Sequence, residues 1–192
     1  MFKNVYTVGF LLFILTMLVF FGAYFFGYNT HYYTTSLLLN AFLLPAIYTL
    51  GAYLSVAGLK KEQKILGFKD AFGNAFKPMF IGGFLSMFSI FGFLNFVETN
   101  AKDTLNFQFV ERNKSELTEI YHKQRSIMKN QKEIAELDKD YQKSMKSFSP
   151  EMVKDKDMFT FRQFTYYFAG VLVFYTILST FFGTFFRNKP ME

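Results

Sequence analysis

The chain has no cysteine and no tryptophan. Without cysteine there is no disulfide, no thiolate metal site and no cysteine nucleophile. That absence is compatible with an oxidising compartment and fixes none. Charge is missing as well: no Asp, Glu, Lys, Arg or His lies deep within any long apolar run. Ion pumps and proton-coupled transporters carry their ion on such a buried group, so that class is set aside. Passage of a neutral or lipidic molecule stays open. No P-loop, H-E-x-x-H, G-x-S-x-G or Asp-rich metal cluster occurs. The chain therefore reads as a non-enzyme with no catalytic, cofactor-binding or metal-binding residue and no cofactor.

What is present is apolar and aromatic. Of 192 residues, 51% are hydrophobic, and 29 are Phe. They fall in blocks: Val5 to Leu59, interrupted by a polar Tyr28–Thr35 patch, then Met79 to Val97, then Gln163 to Phe186. A hydrocarbon core ~30 Å thick needs about 20 apolar residues in a helix. The first block holds two spans and the others one each, predicting transmembrane helices over 5–27, 35–58, 75–97 and 163–186. Lys3 before the first run imitates a secretion signal, but the run is too long and lacks a small-residue cleavage site. A retained helix is expected.

Charge speaks by location. The polar segment from Glu98 to Met158 holds 12 basic and 12 acidic residues. The remaining 9 basic and 3 acidic residues supply the whole net charge of +6. Lys3, Lys60, Lys61, Lys64, Lys69, Lys77, Arg187 and Lys189 all flank one set of span ends. The positive-inside rule weighs such short flanks. It places both termini and the 59–74 loop in the cytoplasm and residues 98–158 outside. The basic excess is a topology signal, so no nucleic-acid partner is implied.

Several features mark helix packing. Tyr24, Tyr28, Tyr32 and Tyr33 stand where an interfacial aromatic belt belongs, and Asn29 and Thr30 suit a tight turn. Pro45 predicts a kink in the second span, and Asn40 a hydrogen bond across the bundle. Gly51 and Ser55, then Gly82, Gly83 and Ser86, put small residues at three- and four-residue spacing, which lets helices approach closely. Gly82, Gly83 and Ser86 place the third span at the bundle centre. Phe68, Phe72, Phe76 and Phe80 recur every fourth residue among Lys69, Asp70, Asn74 and Lys77. They predict an interfacial helix over 67–77 that turns into the membrane at Pro78. His31 and His122 read as solvated.

The segment 98–158 is the one part able to reach far into water. Asp103 or Thr104 is a candidate helix cap. Ile120, Ile127, Ile134, Tyr141 and Phe148 recur every seventh residue, with Leu117, Met145 and Met152 beside them. A continuous helix from Leu117 to Phe148 would span about 48 Å at ~1.5 Å per residue. Gln124, Gln131 and Asp138 occupy the other seam position, so a strict zipper is disfavoured. The alternatives are a hairpin breaking near Lys129–Lys132, or a stripe lying on a partner or the membrane surface. Pro150 should end the helix.

At Leu59–Phe72 small residues end the second span, a short basic loop follows, and Gly67-Phe68-Lys69-Asp70-Ala71-Phe72 opens the third. This arrangement resembles the bacterial membrane-protein family catalogued as domain of unknown function 4199. That family is similar in length, in its four spans and in a polar helical insert between the third and fourth. The resemblance implies a bacterial inner-membrane location and no assigned activity. It also implies an accessory role, since genes of the family neighbour membrane-bound family 2 glycosyltransferases.

Fold and function follow as expectations. The fold is an all-α integral membrane four-helix bundle, with a long amphipathic extracytoplasmic helix or helical hairpin between spans 3 and 4. Its units are 1–97, 98–158 and 159–192. The function is that of an accessory or structural subunit of an envelope complex. Leu117, Ile120, Ile127, Ile134, Tyr141 and Phe148 would bind another membrane or envelope protein, or a second copy, beside the surrounding lipids. The alternative is a small carrier or flippase-like component for a lipid-linked or neutral solute. Its path would run between the kinked second span and the small-residue face of the third. An enzyme acting on lipids would need Glu98 and Asp103 as its carboxylate pair.

Overall fold

The computed structural model describes residues 4–29, 31–63, 65–149, 152 and 157–188. Lys3, Thr30, Lys64, Pro150, Lys189 and Pro190 lie outside the described residues. Every element is helical: α1 Val5–Gly27, α2 Tyr32–Leu38, a π-helical turn Leu39–Leu43 and α3 Leu44–Glu62. Then come α4 Phe68–Gly92, a π-helical turn Phe93–Val97, α5 Thr99–Ile127, α6 Gln131–Lys146 and α7 Phe161–Phe186. In lipid a spanning backbone must satisfy its own hydrogen bonds, which is why these apolar runs are helices.

Among the described residues four helical stretches are long and apolar enough to cross a membrane: Val5–Gly27, Tyr32–Glu62, Phe68–Val97 and Phe161–Phe186. The second exceeds its sequence-based bounds at both ends and the third at its start, because helix continues past the apolar run there. The expected interfacial helix over 67–77 is not separate. α4 runs unbroken through Pro78, so Phe68, Phe72 and Phe76 form the first turns of the span. Their rings, with Phe80 and Phe84, make a ladder at 5.8–6.0 Å between centroids. Gly183 of α7 packs against Phe68 and Phe72.

Pro45 acts one turn upstream of itself. Its ring clashes with the carbonyl four residues back, and the helix answers by widening into the Leu39–Leu43 turn. There the Leu44 amide reaches five residues back, to Leu39 O. Asn40 does not bond across the bundle; its Nδ2 donates 2.7 Å to Ser36 O in its own helix.

α4 packs most extensively, against α1 and α7, while α3 touches all three. Buried Val8 and Leu12 of α1, Tyr48, Ala52 and Val56 of α3, Ala71, Ala75 and Met79 of α4, and Tyr175 and Phe182 of α7 form one core. Helix association in lipid depends on close van der Waals contact rather than on the hydrophobic effect. Gly82 shows this most sharply: a Cβ there would stand 2.7 Å from Leu12 Cβ and 2.9 Å from Gly9 O. Gly51 packs on the Leu12 side chain, and Ser55 and Ser86 are buried. A Cβ on Gly83 would collide with the Tyr175 hydroxyl.

A second, smaller core gathers Ala23, Tyr32, Leu94, Ala101 and Leu105 at one end of the bundle. Tyr32 is thus a core residue rather than part of an interfacial belt. α5 begins at Thr99, ahead of the proposed caps, so Asp103 and Thr104 lie inside the helix. The segment beyond is a hairpin: α5 stops at Ile127, and α6 starts after Asn130, whose side chain caps the Lys132 amide at 3.0 Å.

Candidate functional site

Two places could carry function, a cavity inside the bundle and the hairpin outside it. The cavity, of about 150 Å³, lies between the second span and α4 and α7. Asn40, Leu44, Pro45 and Tyr48 line one side, Gly83, Ser86, Met87 and Ile90 another, with Thr16, Val171, Phe174 and Tyr175 completing it. Thr16 is the middle residue of α1, and Gly83 stands at the middle of the third span. The cavity therefore sits halfway along the spans.

Its walls are apolar with a few hydroxyls and one amide. Thr16 Oγ1 donates to Leu12 O at 2.8 Å and lies 3.1 Å from the Tyr48 hydroxyl. The Tyr48 and Tyr175 rings stack 9° from parallel with centroids 5.3 Å apart. Ser86 Oγ donates back to Gly82 O. Asn40 is exposed at the edge. The small Ser86, beside a helix widened by Pro45, leaves room on the α4 side, while Gly83 admits the Tyr175 hydroxyl that closes the cavity.

The hairpin is fixed to the bundle at its base by side-chain amides. Gln108 Oε1 accepts the Tyr33 amide at 2.7 Å, and its Nε2 donates to Asn29 O at 2.7 Å. The Tyr28 hydroxyl lies 3.1 Å from Thr104 Oγ1. On the other flank Asp157 Oδ1 accepts from Asn106 Nδ2 at 3.0 Å and from the Phe159 amide at 2.8 Å. Lys102 pairs with Asp157 at 3.3 Å. Asn106 Oδ1 accepts the Met158 amide, and Asn95 Nδ2 donates to Phe159 O. Burial alone would raise the Asp157 carboxyl, but the hydrogen bonds from Asn106, Phe159 and Lys102, with the Lys102 charge, hold it below its ordinary value.

Further out, the two arms meet through polar aromatics. The Tyr121 and Tyr141 rings stack at 4.1 Å. The Tyr121 hydroxyl donates to Asp138 at 2.8 Å and accepts from Arg125, which also reaches Asp138. The Tyr141 hydroxyl lies 3.1 Å from Thr118 Oγ1. Of the predicted stripe, Tyr141 is in this seam and Ile134 is half-buried. Ile120 and Ile127 stay accessible, 52% and 78% exposed. Leu117, Ile120 and Phe148 line an open groove of about 780 Å³ between the arms. The turn at Met128–Asn130 means the heptad positions do not form one continuous stripe.

Sequence reasoning missed Tyr121, Arg125 and Asp138 as seam residues, having read Asp138 as an interruption. The signal for the turn was Asn130 with Glu133 three residues on, a helix-start signature; Asn130 Nδ2 donates to Glu133 at 3.2 Å. Glu98 and Asp103 are not brought together. Glu98 stands in the non-helical joint before α5, and Asp103 lies within the helix. Glu98 is half-buried and Asp103 exposed.

Four apolar helices make this a membrane protein. No curated protein and no solved structure matches the chain. A family model described as protein of unknown function (DUF4199) matches residues 7–188, so the chain belongs to the DUF4199 family.

Proposed function

We propose that the protein is a non-enzymatic accessory subunit of a larger envelope complex in the bacterial cytoplasmic membrane, with its hairpin as the recognition arm. On this reading both termini are cytoplasmic and the hairpin extracytoplasmic. The described basic flanks Lys60, Lys61, Lys69, Lys77 and Arg187 at the opposite end of the bundle favour that orientation. The observation that carries the reading is Ile120 and Ile127 standing exposed one heptad apart on α5, Ile120 in the open groove between the arms, on an arm whose base is fixed by Gln108, Asn106 and Asp157. Exposed branched aliphatics on a fixed arm outside the bundle are what a protein partner would bury.

The test is co-purification from native membranes. The chain with Ile120→Asp and Ile127→Asp loses its partner while its unfolding transition stays in place. Retention of the partner by that variant sinks the reading.

A second reading, a small carrier for a neutral or lipid-linked solute, draws on the cavity. It lies between the π-turn of the second span and the Gly83–Ser86 face of α4, where such a path is expected. Transport of a neutral solute by purified protein in sealed vesicles tests it; its absence removes the reading.

A further inference from the structure

We propose that the cavity halfway through the bundle binds the polar end of a neutral amphiphile drawn from the lipid, a molecule carrying one hydroxyl on an apolar body. The inference rests on the site of the carrier reading but claims binding only.

Four observations converge. No carboxylate, ammonium, guanidinium or imidazole lines the cavity, so a charged ligand would meet no counter-charge at the costliest depth of the bilayer. The volume of about 150 Å³ is that of an apolar cavity able to take a benzene-sized group. This is room for the head of an amphiphile whose chain stays in lipid. Asn40 stands exposed at the rim with Nδ2 on Ser36 O, and its Oδ1 accepts from no described residue. A polar atom left without a partner in hydrocarbon is unfavourable, and a ligand hydroxyl would satisfy it. Pro45, having no N–H, leaves one carbonyl of the adjoining turn without its backbone donor. The rim thus offers acceptors, and the interior offers the Thr16 and Tyr48 hydroxyls 3.1 Å apart. Thr16 spends its hydrogen on Leu12 O and Tyr48 spends its own on Thr16, so the site offers acceptors and matches a hydroxyl that donates.

The experiment uses the full chain in phosphatidylcholine vesicles. Two photoreactive probes are compared: hexadecanol with a diazirine near its hydroxyl, and the hydrocarbon of equal length with the same diazirine and no hydroxyl. The alcohol labels Leu44–Tyr48 and Gly83–Ile90 saturably, and excess unlabelled hexadecanol competes. A matched ketone does not compete, because the site has no free donor for it; competition by the ketone equal to that of the alcohol overturns the proposal. The hydrocarbon labels all outward faces without competition. Asn40→Leu lowers the alcohol's competed labelling about fivefold, the scale of one lost hydrogen bond, and Met87→Trp, which fills the space, abolishes it. The wild-type pattern decides even if a variant misfolds: diffuse labelling by the alcohol, or competed labelling by the hydrocarbon, overturns the proposal. Saturable labelling without solute transport overturns the carrier reading and leaves this one standing.

Discussion

The two halves of α5 are built from similar residues and do opposite things. Its first three turns bury Ala101, Leu105 and Val110 and spend their amides on Asn29, Tyr33 and the chain entering α7. Its last turns leave Ile120 and Ile127 exposed and meet α6 through a tyrosine stack and an Arg–Tyr–Asp triad. The same helix is thus core at its base and interface at its tip. Polarity along the sequence does not separate the halves; what each half finds opposite it does. A fixed base makes the tip a directed surface rather than a tethered one.

The largest break of this contrast is at the base. Leu105→Ala removes a side chain that is 4% exposed and should cost about 2–5 kcal/mol, read by unfolding in mild detergent. Ile127→Ala at the tip should stay within about 0.5 kcal/mol. Equal losses would erase the distinction between base and tip.

Next comes the crossing that holds the base's platform. Gly82→Ala places a Cβ 2.7 Å from Leu12 Cβ, and such overpacking costs about 1–3 kcal/mol. Thermal unfolding should fall, with α1 amides in hydrogen exchange loosening first. Within the arm, Tyr141→Leu removes the ring from Tyr121 and should cost about 0.5–1.5 kcal/mol. Exchange should quicken in α6 and in the end of α5 that it packs on, with the base of the arm unchanged.

The smallest effect is pH-dependent. Asp157 has a folded pKa held below its ordinary value. Its contribution to the clamp is therefore full above the unfolded carboxylate range and is lost as pH falls through the lower folded value. Exchange at Phe159 should quicken in acid, and Asp157→Asn should remove that pH dependence. An unchanged acid response in the variant would show that the clamp depends on other groups.

Much of the membrane part was legible in the sequence because length and apolarity decide it: an apolar helix as long as Phe161–Phe186, 26 residues, has few alternatives to spanning. Gly82 and Ser86 were legible for the same reason, since small residues at helical spacing have one common use in lipid. The hairpin's seam was not. Tyr121, Arg125 and Asp138 look like a solvated face until α6 folds back on them. Pro78 looked like a turn, yet a buried proline in an otherwise apolar helix is tolerated where neighbouring spans enclose it. The cavity was foreshadowed by Pro45 and the Gly83–Ser86 face, but its closure by Tyr175 depends on how α7 docks.

The most direct measurement of the central claim is a gentle-detergent co-purification from native membranes, comparing the wild-type chain with the chain carrying Ile120→Asp and Ile127→Asp. The account predicts one stoichiometric partner with the wild type and none with the variant, at matched yield and unfolding temperature. A wild-type protein that purifies alone, or a partner that stays with the variant, would contradict it.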